Sequence, residues 1–372
     1  MRYPAAQEAR TTDRNGGSIP LSSALIGYAG YARSCTGPGD RRRFLAYAKQ
    51  RGLSFRHPAL DDDCELVVVT QSADLPGWTA RKRKAGNKLH LVLDLVDAYF
   101  QESRLAPRLL MGIGRYYERR DSRLSPDFLE TLRRACSVAD GILCSTLEQR
   151  EIILRYNDNV EVSFDWFGDE LCPPKREYGR GRRLKLVWEG QAVTLRNVQE
   201  LREPLNTLKD EVELHVVTDE TVPRWLRRYG RHPSRDLLNG IECPIILSRW
   251  DKADFSRRII DADVAIIPMD LDHPIIRAKP ENKLVLFWKL GMPVLVAPTP
   301  AYRRAMGAAG LDMLCETPAD WLAHLRSLAA APPERLSELG RLGYEHATLA
   351  YDDAAFRRPY DRVLTKLGFA LS

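Results

Sequence analysis

The sequence predicts a two-domain α/β protein in which each domain contains a parallel β-sheet. Three observations predict this fold class. Short runs rich in Val, Leu and Ile alternate with helical segments, a pattern typical of parallel strands that are buried on both faces. A polar segment rich in proline and glycine interrupts this alternation at residues 168–183, as expected of a linker. The length of 372 residues also exceeds that of one ordinary hydrophobic core.

The first half of the chain contains five candidate strands. They are short apolar runs bounded by polar turns, at residues 23–31, 65–70, 89–95, 140–145 and 160–164. Helical segments separate these runs, at residues 41–51, 105–139 (with a break at Ser125–Pro126) and 147–156. This alternation indicates a doubly wound α/β domain.

The second half repeats the same organisation after the linker. Its candidate strands lie at residues 184–188, 212–217, 245–247, 264–267 and 294–296, and helices follow residue 321. We therefore expect an N-terminal domain at residues 1–172, a second domain at 173–345 and a final segment at 346–372.

The stretch from Asp261 to Pro300 is the most informative part of the chain. It reads as a strand, a proline-broken polar loop, a helix and a second buried strand. Parallel strands joined by a crossover helix bring this loop to the carboxyl edge of the sheet, where open α/β sheets bind ligands. The loop and helix start carry Arg277, Lys279 and Lys283. Together with the unpaired N–H groups of a helix N-terminus, they suit a phosphate-bearing ligand.

The composition, 44% hydrophobic and 28% charged, is typical of globular proteins. No apolar run approaches the roughly 18 residues needed to span a bilayer, and the N-terminal region lacks the apolar core of a secretory signal. Seven cysteines are dispersed without a C-x-x-C pair. This usage favours reduced thiols and a cytoplasmic location over disulfides or a zinc site.

The net charge is +6, with basic clusters at Arg41–Arg43, Arg81–Lys84, Arg180–Arg183 and Arg227–Arg235. Solvated helix faces and loops are the simplest interpretation of these clusters. Peripheral contact with an anionic membrane, or with an acidic acceptor, is the alternative. We do not expect nucleic acid as a partner, because no recognition motif accompanies the charge.

The segment Lys279-Pro-Glu-Asn-Lys283, followed by Phe287-Trp-Lys-Leu-Gly291-Met-Pro293-Val-Leu, resembles the donor site of GT-B glycosyltransferases, and of family 4-like members in particular. That family often shows P-x-N-K, a short helix and then G-x-P-V. The resemblance covers residues 184–302 best. It implies two Rossmann-like domains that face each other across a cleft, a nucleotide-sugar bound by the second, and a C-terminal helix at 346–372 that packs back on the first. One departure is Leu286, which stands where many retaining members carry a ribose-binding glutamate.

The strand ends and this resemblance together indicate the donor-binding residues. They are Gly190, Gln191, Arg196, Thr218, Trp250, Arg277, Lys279, Asn282, Lys283 and Tyr302. Glycine at position 190 would let the backbone approach a phosphate or sugar, or would simply end a strand. Trp250 would stack on the base, or only pack. His273–Pro274 resembles a pair that several bacterial sialyltransferase families use for the CMP phosphate, although a turn is the simpler account.

Three residues are catalytic candidates. Lys283 would act as a fixed cation on the donor phosphate; its alternative is a solvated helix position. An inverting transferase also needs a general base from the first domain. Asp94 and Asp97 end a candidate strand, and we favour Asp97 because it lies farther towards the loop. Asp74 is a third carboxylate, and helix capping is the alternative role for each.

No metal or permanently bound cofactor is expected beyond the nucleotide-sugar donor. The pairs Asp61–Asp63 and Asp261–Asp263 have D-x-D spacing but precede strands, away from the ligand-facing strand ends. The sequence also lacks G-x-S-x-G, Walker A, H-E-x-x-H and G-x-G-x-x-G motifs, which disfavours hydrolase, P-loop, zincin and simple dehydrogenase functions.

The functional hypothesis is a glycosyltransferase that moves a sugar from a nucleotide-activated donor to a glycan or lipid-linked acceptor. Bacterial surface polysaccharide or glycoconjugate synthesis is the expected setting, in the cytoplasm or at the inner face of the membrane. Two alternatives remain open: a GT-B sugar-nucleotide epimerase, and a degenerate, non-catalytic GT-B binding protein. The sequence does not indicate the base, the sugar, the acceptor or the stereochemical outcome.

Overall fold

A computed structural model of the chain describes residues 19–31, 34–178, 181–223 and 230–371. The described strands are β1 Ile19–Pro20, β2 Ile26–Ala29, β3 Leu66–Thr70, β4 His90–Leu95, β5 Gly141–Cys144, β6 Val160–Val162, β7 Leu184–Glu189, β8 Val212–Thr218, β9 Thr221–Pro223, β10 Arg231–Pro233, β11 Ile245–Arg249, β12 Val264–Ile267, β13 Val294–Val296 and β14 Phe369–Ala370. The described α-helices are α1 Pro38–Arg41, α2 Phe44–Gln50, α3 Leu75–Ala85, α4 Leu105–Tyr117, α5 Phe128–Val138, α6 Leu147–Ile153, α7 Arg202–Thr207, α8 Phe255–Ile260, α9 Pro274–Arg277, α10 Asn282–Lys289, α11 Pro300–Ala308, α12 Pro318–Ala330, α13 Pro333–Ala350 and α14 Asp353–Lys366. The predicted α/β fold class is confirmed.

The chain divides into two compact units. Residues 1–166 and 353–372 form the first unit, and residues 167–352 form the second. The divisions therefore follow residues 166 and 352, where we expected 172 and 345. A hydrogen bond joins the two segments of the first unit where they end and begin: the indole N–H of Trp166 donates to Asp353 Oδ1 at 2.7 Å.

The first unit contains a five-stranded parallel sheet in the order β2-β3-β4-β5-β6. Side chains alternate across it, because successive residues of a strand point to opposite faces. Val68 and Val92 enter a core layer that includes Tyr360 of α14. Val67 and Leu91 enter the opposite layer, which α3 and α5 cover. Both layers are fully buried, as the Val- and Leu-rich strands predict.

Two small strand pairs were not predicted from the sequence. The two-residue strands β1 and β14 pair in parallel, so the final segment is joined to residues near the start of the described chain. Strands β9 and β10 form an antiparallel pair of three residues each. Both pairs contain prolines and are too short to show any hydrophobic periodicity, the signal on which strand prediction depends.

The second unit contains a five-stranded parallel sheet in the order β11-β8-β7-β12-β13. From β7 the chain adds β8 and β11 on one side and then β12 and β13 on the other. The direction of strand addition therefore reverses between β7 and β12. Such a topological switch point opens a crevice at the carboxyl ends of the two strands, where doubly wound sheets bind ligands.

The segment from β12 to β13 folds as the sequence predicts, with one addition. Strands β12 and β13 are parallel neighbours, and α10 connects them. Gly291 follows α10 with φ of +71°, and its N–H donates to Trp288 O at 2.8 Å, a backbone conformation that glycine adopts without strain. The addition is α9, a four-residue helix within the predicted loop that begins at Pro274, since proline is favoured in the first helical turn.

Candidate functional site

The side chain of Lys283 connects the two strands at the switch point of the second sheet. Lys283 lies in the first turn of α10, after β12, and its Nζ donates a hydrogen bond to the carbonyl oxygen of Glu189, the last residue of β7. The same ammonium lies 4.8 Å from the ring centroid of Trp188. Both contacts are electrostatically favourable. They hold the cation at the carboxyl edge of the sheet.

Gly190 makes this approach possible. A Cβ at position 190 would overlap Lys283 Nζ and would also press on the Trp188 ring at 3.2 Å. The turn after β7 is held from the neighbouring strand, since the buried Thr218 hydroxyl donates to Gly190 O at 2.6 Å and Gly190 N donates to Val217 O at 3.2 Å. A bare backbone therefore faces the ammonium at a fixed distance.

Basic side chains and hydrogen-bond donors lie beside Lys283 at the start of α10. Lys279 and Asn282 are half-buried, and Arg277 is exposed at the end of α9. The first N–H groups of a helix have no acceptor within the helix and carry the positive end of its dipole. A carboxylate flanks the helix start: Glu281 Oε1 accepts a hydrogen bond from the Tyr351 hydroxyl at 3.1 Å. Burial first, and then this carboxylate, raise the pKa of Tyr351 above its ordinary value. The arrangement is suited to an anion such as a phosphate.

The remaining predicted donor residues lie at the same edge but differ in accessibility. Trp250 is half-buried after β11, its ring stacked on Phe255 with centroids 5.3 Å apart. Gln191 and Arg196 are exposed after β7. Tyr302 is buried, and its N–H donates to Thr299 Oγ1. Burial, followed by Glu281, raises the pKa of Tyr302. Its location in the core favours a packing role over direct ligand contact.

In the first unit, Asp97 follows β4 and is held by two glutamines. Its Oδ2 accepts from Gln71 Nε2 at 2.6 Å, its N–H donates to Gln71 Oε1 at 3.0 Å, and its carbonyl oxygen accepts from Gln149 Nε2 at 3.0 Å. The side chain is half-buried. Asp97 is thus a positioned carboxylate at the carboxyl end of a central strand, as a general base requires.

Asp94 lies inside β4 and is fully buried. It forms a salt bridge with Arg43 at 2.5 Å, also accepts from Arg43 Nε at 2.7 Å, and accepts from the Tyr360 hydroxyl at 3.0 Å. These contacts occupy both carboxylate oxygens and favour a structural role over a catalytic one. Asp74 caps α3, since its Oδ1 accepts from Gly77 N at 2.9 Å, the alternative role for this residue.

Several residues of these sites were missed from the sequence. Trp188 and Glu189 form the platform under Lys283, and Glu281 flanks it; the only signal for the first two was their position at a strand end. Asp165 lies 3.9 Å from Arg43 in the first unit. Burial raises the pKa of Asp165 to about 6, against the lowering effect of Arg43 and Arg42.

The structure also modifies the interpretation of the basic clusters. Arg43 is buried in its ion pair with Asp94, and Lys82 pairs with Asp140 at 2.8 Å, so neither adds to a surface field. Arg180, Arg227 and Arg228 lie outside the described residues. Within the described ranges no three His, Cys, Asp or Glu side chains are grouped to hold a metal ion, and no helix is long and apolar enough to cross a bilayer.

Comparison with solved structures identifies the fold. HepE from Anabaena, solved with UDP and glucose, matches with a TM-score of 0.60 and 11% identity over 92% of this chain and 99% of its own. WaaG, a glycosyltransferase involved in lipopolysaccharide biosynthesis, matches with a TM-score of 0.54 and 13% identity over 92% and 100%. TarM matches with a TM-score of 0.56 and 11% identity over 80% of this chain, which spans only 54% of TarM.

Searches against protein-family models and against curated proteins found no match. The structural matches therefore show the fold alone. The chain has the GT-B glycosyltransferase fold, with two Rossmann-like domains, as the resemblance of the segment from Lys279 to Pro293 implies.

Proposed function

We propose that this protein is a glycosyltransferase that transfers a sugar from a nucleotide-activated donor to a glycan or lipid-linked acceptor. One observation carries the proposal: the ammonium of Lys283 is fixed against Glu189 O at the switch point of the second sheet. Fold alone does not establish function, so the weight lies on this geometry. The structure of HepE contains UDP and glucose, and a structure of TarM contains UDP, which supports a nucleotide-sugar as donor.

In this proposal the start of α10 binds the donor phosphates. Lys283, Lys279 and the first N–H groups of the helix supply positive charge. Arg277 and Asn282 lie beside them, while Gly190 and Gln191 form the backbone floor after β7. Trp250 offers one ring face to the base, since Phe255 covers the other. Thr218 acts indirectly, by holding Gly190.

The transfer requires that charge and one proton be relocated. The acceptor hydroxyl oxygen forms a bond to the anomeric carbon, and the bond from that carbon to the donor phosphate oxygen breaks. The leaving nucleotide takes the electron pair and gains negative charge, which the fixed Lys283 ammonium stabilises more in the transition state than in the ground state. In an inverting reaction Asp97 accepts the proton of the hydroxyl.

A second candidate function is supported by Leu286. This residue is buried in the core-facing side of α10, at the position where many retaining members carry a glutamate for the donor ribose. Its apolar side chain cannot accept a hydrogen bond from a ribose hydroxyl. The second candidate is therefore a degenerate, non-catalytic GT-B protein, which binds nucleotide-sugars without transferring the sugar.

Ligand-dependent thermal shift followed by turnover assays tests both functions. UDP, GDP, TDP, CMP and their sugars are screened first, because a ligand at 100 times its Kd stabilises the folded state by about 2.7 kcal/mol. Sugar transfer to an added acceptor supports the transferase. Conversion of the nucleotide-sugar without acceptor supports an epimerase, and binding without turnover supports the degenerate protein. A chain that none of these nucleotides stabilises would overturn the proposed donor site.

We further infer a cytoplasmic location, where nucleotide-sugars are available and where dispersed thiols stay reduced. All seven cysteines are thiols outside any disulfide, and six of them are buried. Burial raises the pKa of the Cys136 thiol, and that of the Cys35 thiol to about 11. A thiol that stays protonated near neutral pH is a weak nucleophile, so Cys35 and Cys136 have no part in the proposed reaction.

A further inference from the structure

The helix α4 presents its apolar face outward. Leu110, Ile113 and Tyr117 follow one another at spacings of three and four residues and therefore share one side of the helix. They are 71%, 51% and 64% exposed, and Leu105 and Tyr116 of the same helix are also exposed. Single exposed apolar side chains are ordinary. A continuous exposed stripe of this kind indicates a binding surface.

The opposite side of α4 carries Met111, Gly112 and Arg115 and is fixed to the rest of the first unit. The Arg115 guanidinium is buried, donates to Ala73 O at 2.6 Å and pairs with Asp121 at 2.7 Å. Gly112 packs so closely that a Cβ there would overlap Pro126 O. Helices on the surface of globular proteins ordinarily bury the apolar side instead. The orientation of α4 is thus set by specific contacts, and these contacts leave the apolar stripe outside.

Positive charge lies at the C-terminal end of this stripe. Residues 102–127 contain six arginines and four carboxylates, and each carboxylate is paired with an arginine: Glu102 with Arg104, Glu118 with Arg120, Asp121 with Arg115, and Asp127 with Arg108. Arg119 and Arg123 are exposed just beyond the end of the helix, next to the exposed Leu124. The surface therefore combines an apolar stripe with a surplus of positive charge.

We propose that α4 and the segment 118–124 form a docking surface for an anionic lipid bilayer. An amphipathic helix with an apolar side and basic flanks lies in the plane of the bilayer interface, with its apolar side chains inserted at the level of the headgroups. Tyr116 and Tyr117 suit that depth, because tyrosine is enriched at membrane interfaces. The exposed arginines contact the anionic headgroups. Charge complementarity favours this occupant over a second copy of the chain, whose α4 would bring the same positive charge.

The sequence located the possible membrane contact in other segments, at the four basic clusters. It missed this surface because an apolar stripe on a helix ordinarily predicts a core-facing side. The inference does not depend on transferase activity, since lipid binding is measured without donor or acceptor. Failure of one proposal therefore leaves the other unaffected.

Co-sedimentation of the full chain with vesicles tests the surface. We expect binding to vesicles of phosphatidylcholine with 30% phosphatidylglycerol and weaker binding to phosphatidylcholine alone. The variant Leu110→Glu/Ile113→Glu should bind at least tenfold more weakly. Its matched control, Leu349→Glu/Leu25→Glu, changes two leucines that are also more than half exposed but lie elsewhere, and should bind like the unmodified protein. Unchanged thermal melting of all variants shows that they fold.

The charge contribution is tested separately with Arg119→Gln/Arg123→Gln. Each arginine near an anionic surface is worth about fivefold in affinity, so this variant should bind about 25-fold more weakly and with less dependence on salt. Arg326→Gln/Arg341→Gln, two exposed arginines of the second unit, is the control. Equal binding of the vesicles by the Leu110→Glu/Ile113→Glu variant and the unmodified protein would overturn the proposal. A second result would also overturn it: the unmodified protein does not bind the vesicles but forms a dimer in solution, and the Leu110→Glu/Ile113→Glu substitution dissociates that dimer.

Discussion

The ammonium of Lys283 donates a hydrogen bond to the carbonyl oxygen of Glu189, although the two residues are 94 positions apart in the chain. This contact joins the start of α10 to the end of β7 across the switch point of the second sheet. It requires Gly190 to lack a side chain and Trp188 to supply a ring face. The contact therefore preorganises a cation where the proposed donor phosphate binds.

Replacement of Lys283 by alanine should reduce sugar transfer roughly 10²-fold, the loss typical of removing one preorganised electrostatic donor. Stability should fall by about 1.5–3 kcal/mol, the value of one hydrogen bond made by a charged group. Lys283→Arg should not restore turnover, because a planar guanidinium does not fit beside Gly190 as a compact ammonium does. Initial rates at saturating donor measure the effect.

Lys289→Ala is the matched control for this prediction. Lys289 lies on the same helix, is also half-buried, and donates to a backbone carbonyl, that of Tyr351, at 2.8 Å. Its removal should cost similar stability and leave turnover intact. Full activity in a folded Lys283→Ala protein would remove Lys283 from the mechanism and weaken the proposed donor site.

The substitution Gly190→Ala should act through Lys283. The added Cβ would overlap Nζ and so displace the ammonium from Glu189 O, lowering turnover to about the level of Lys283→Ala. The two changes should then be strongly non-additive when combined, since both remove one interaction. Gly307→Ala, at a helical glycine with open space around it, should keep full activity. Additive losses in the double variant would show that Gly190 acts independently of Lys283.

The sequence predicted the main strands of both sheets because each is a short Val-, Leu- or Ile-rich run between polar turns. It also predicted the segment from β12 to β13, including the end of α10 at Gly291. It could not distinguish Asp94 from Asp97 by burial, because the partners of Asp94 come from distant positions. Arg43 precedes it by 51 residues and Tyr360 follows it by 266. Such contacts exist only once the fold has formed.

Substitution of Asp94 should therefore reduce mainly stability, whereas substitution of Asp97 should reduce mainly activity. Asp94→Ala leaves the buried Arg43 guanidinium without its main counter-ion, a loss that typically costs about 3–5 kcal/mol. Asp97→Asn should cost about 1 kcal/mol or less but reduce an inverting transfer by about 10²–10⁴-fold. Urea denaturation and initial rates on the two purified proteins make the comparison. A stable Asp94→Ala protein, or a fully active Asp97→Asn protein, contradicts the corresponding role.

Asp165 should make the folded protein less stable as the pH rises, the opposite of the effect of an aspartate whose pKa is lowered by folding. Burial raises its pKa to about 6, opposed by Arg43 and Arg42 and reinforced by Asp94 and Asp97. The ordinary pKa of an unfolded aspartate is about 3.9. Between these values the folded state binds more protons than the unfolded state. The contribution of Asp165 to the free energy of unfolding therefore falls as the pH rises from about 4 to 6, and reaches a penalty of about 2–3 kcal/mol above that range.

Asp165→Asn should relieve this penalty, because the amide resembles the protonated carboxyl. The difference in unfolding free energy between Asp165→Asn and the unmodified protein should shift in favour of the variant by about 2 kcal/mol between pH 4.5 and pH 8. Urea denaturation at the two pH values measures this shift. Asp158→Asn, at an exposed position of the same unit, is the control for a general effect of removing one negative charge. If the advantage of Asp165→Asn were the same at both pH values, Asp165 would ionise in the folded protein as it does in the unfolded chain, and its burial beside Arg43 would cost nothing.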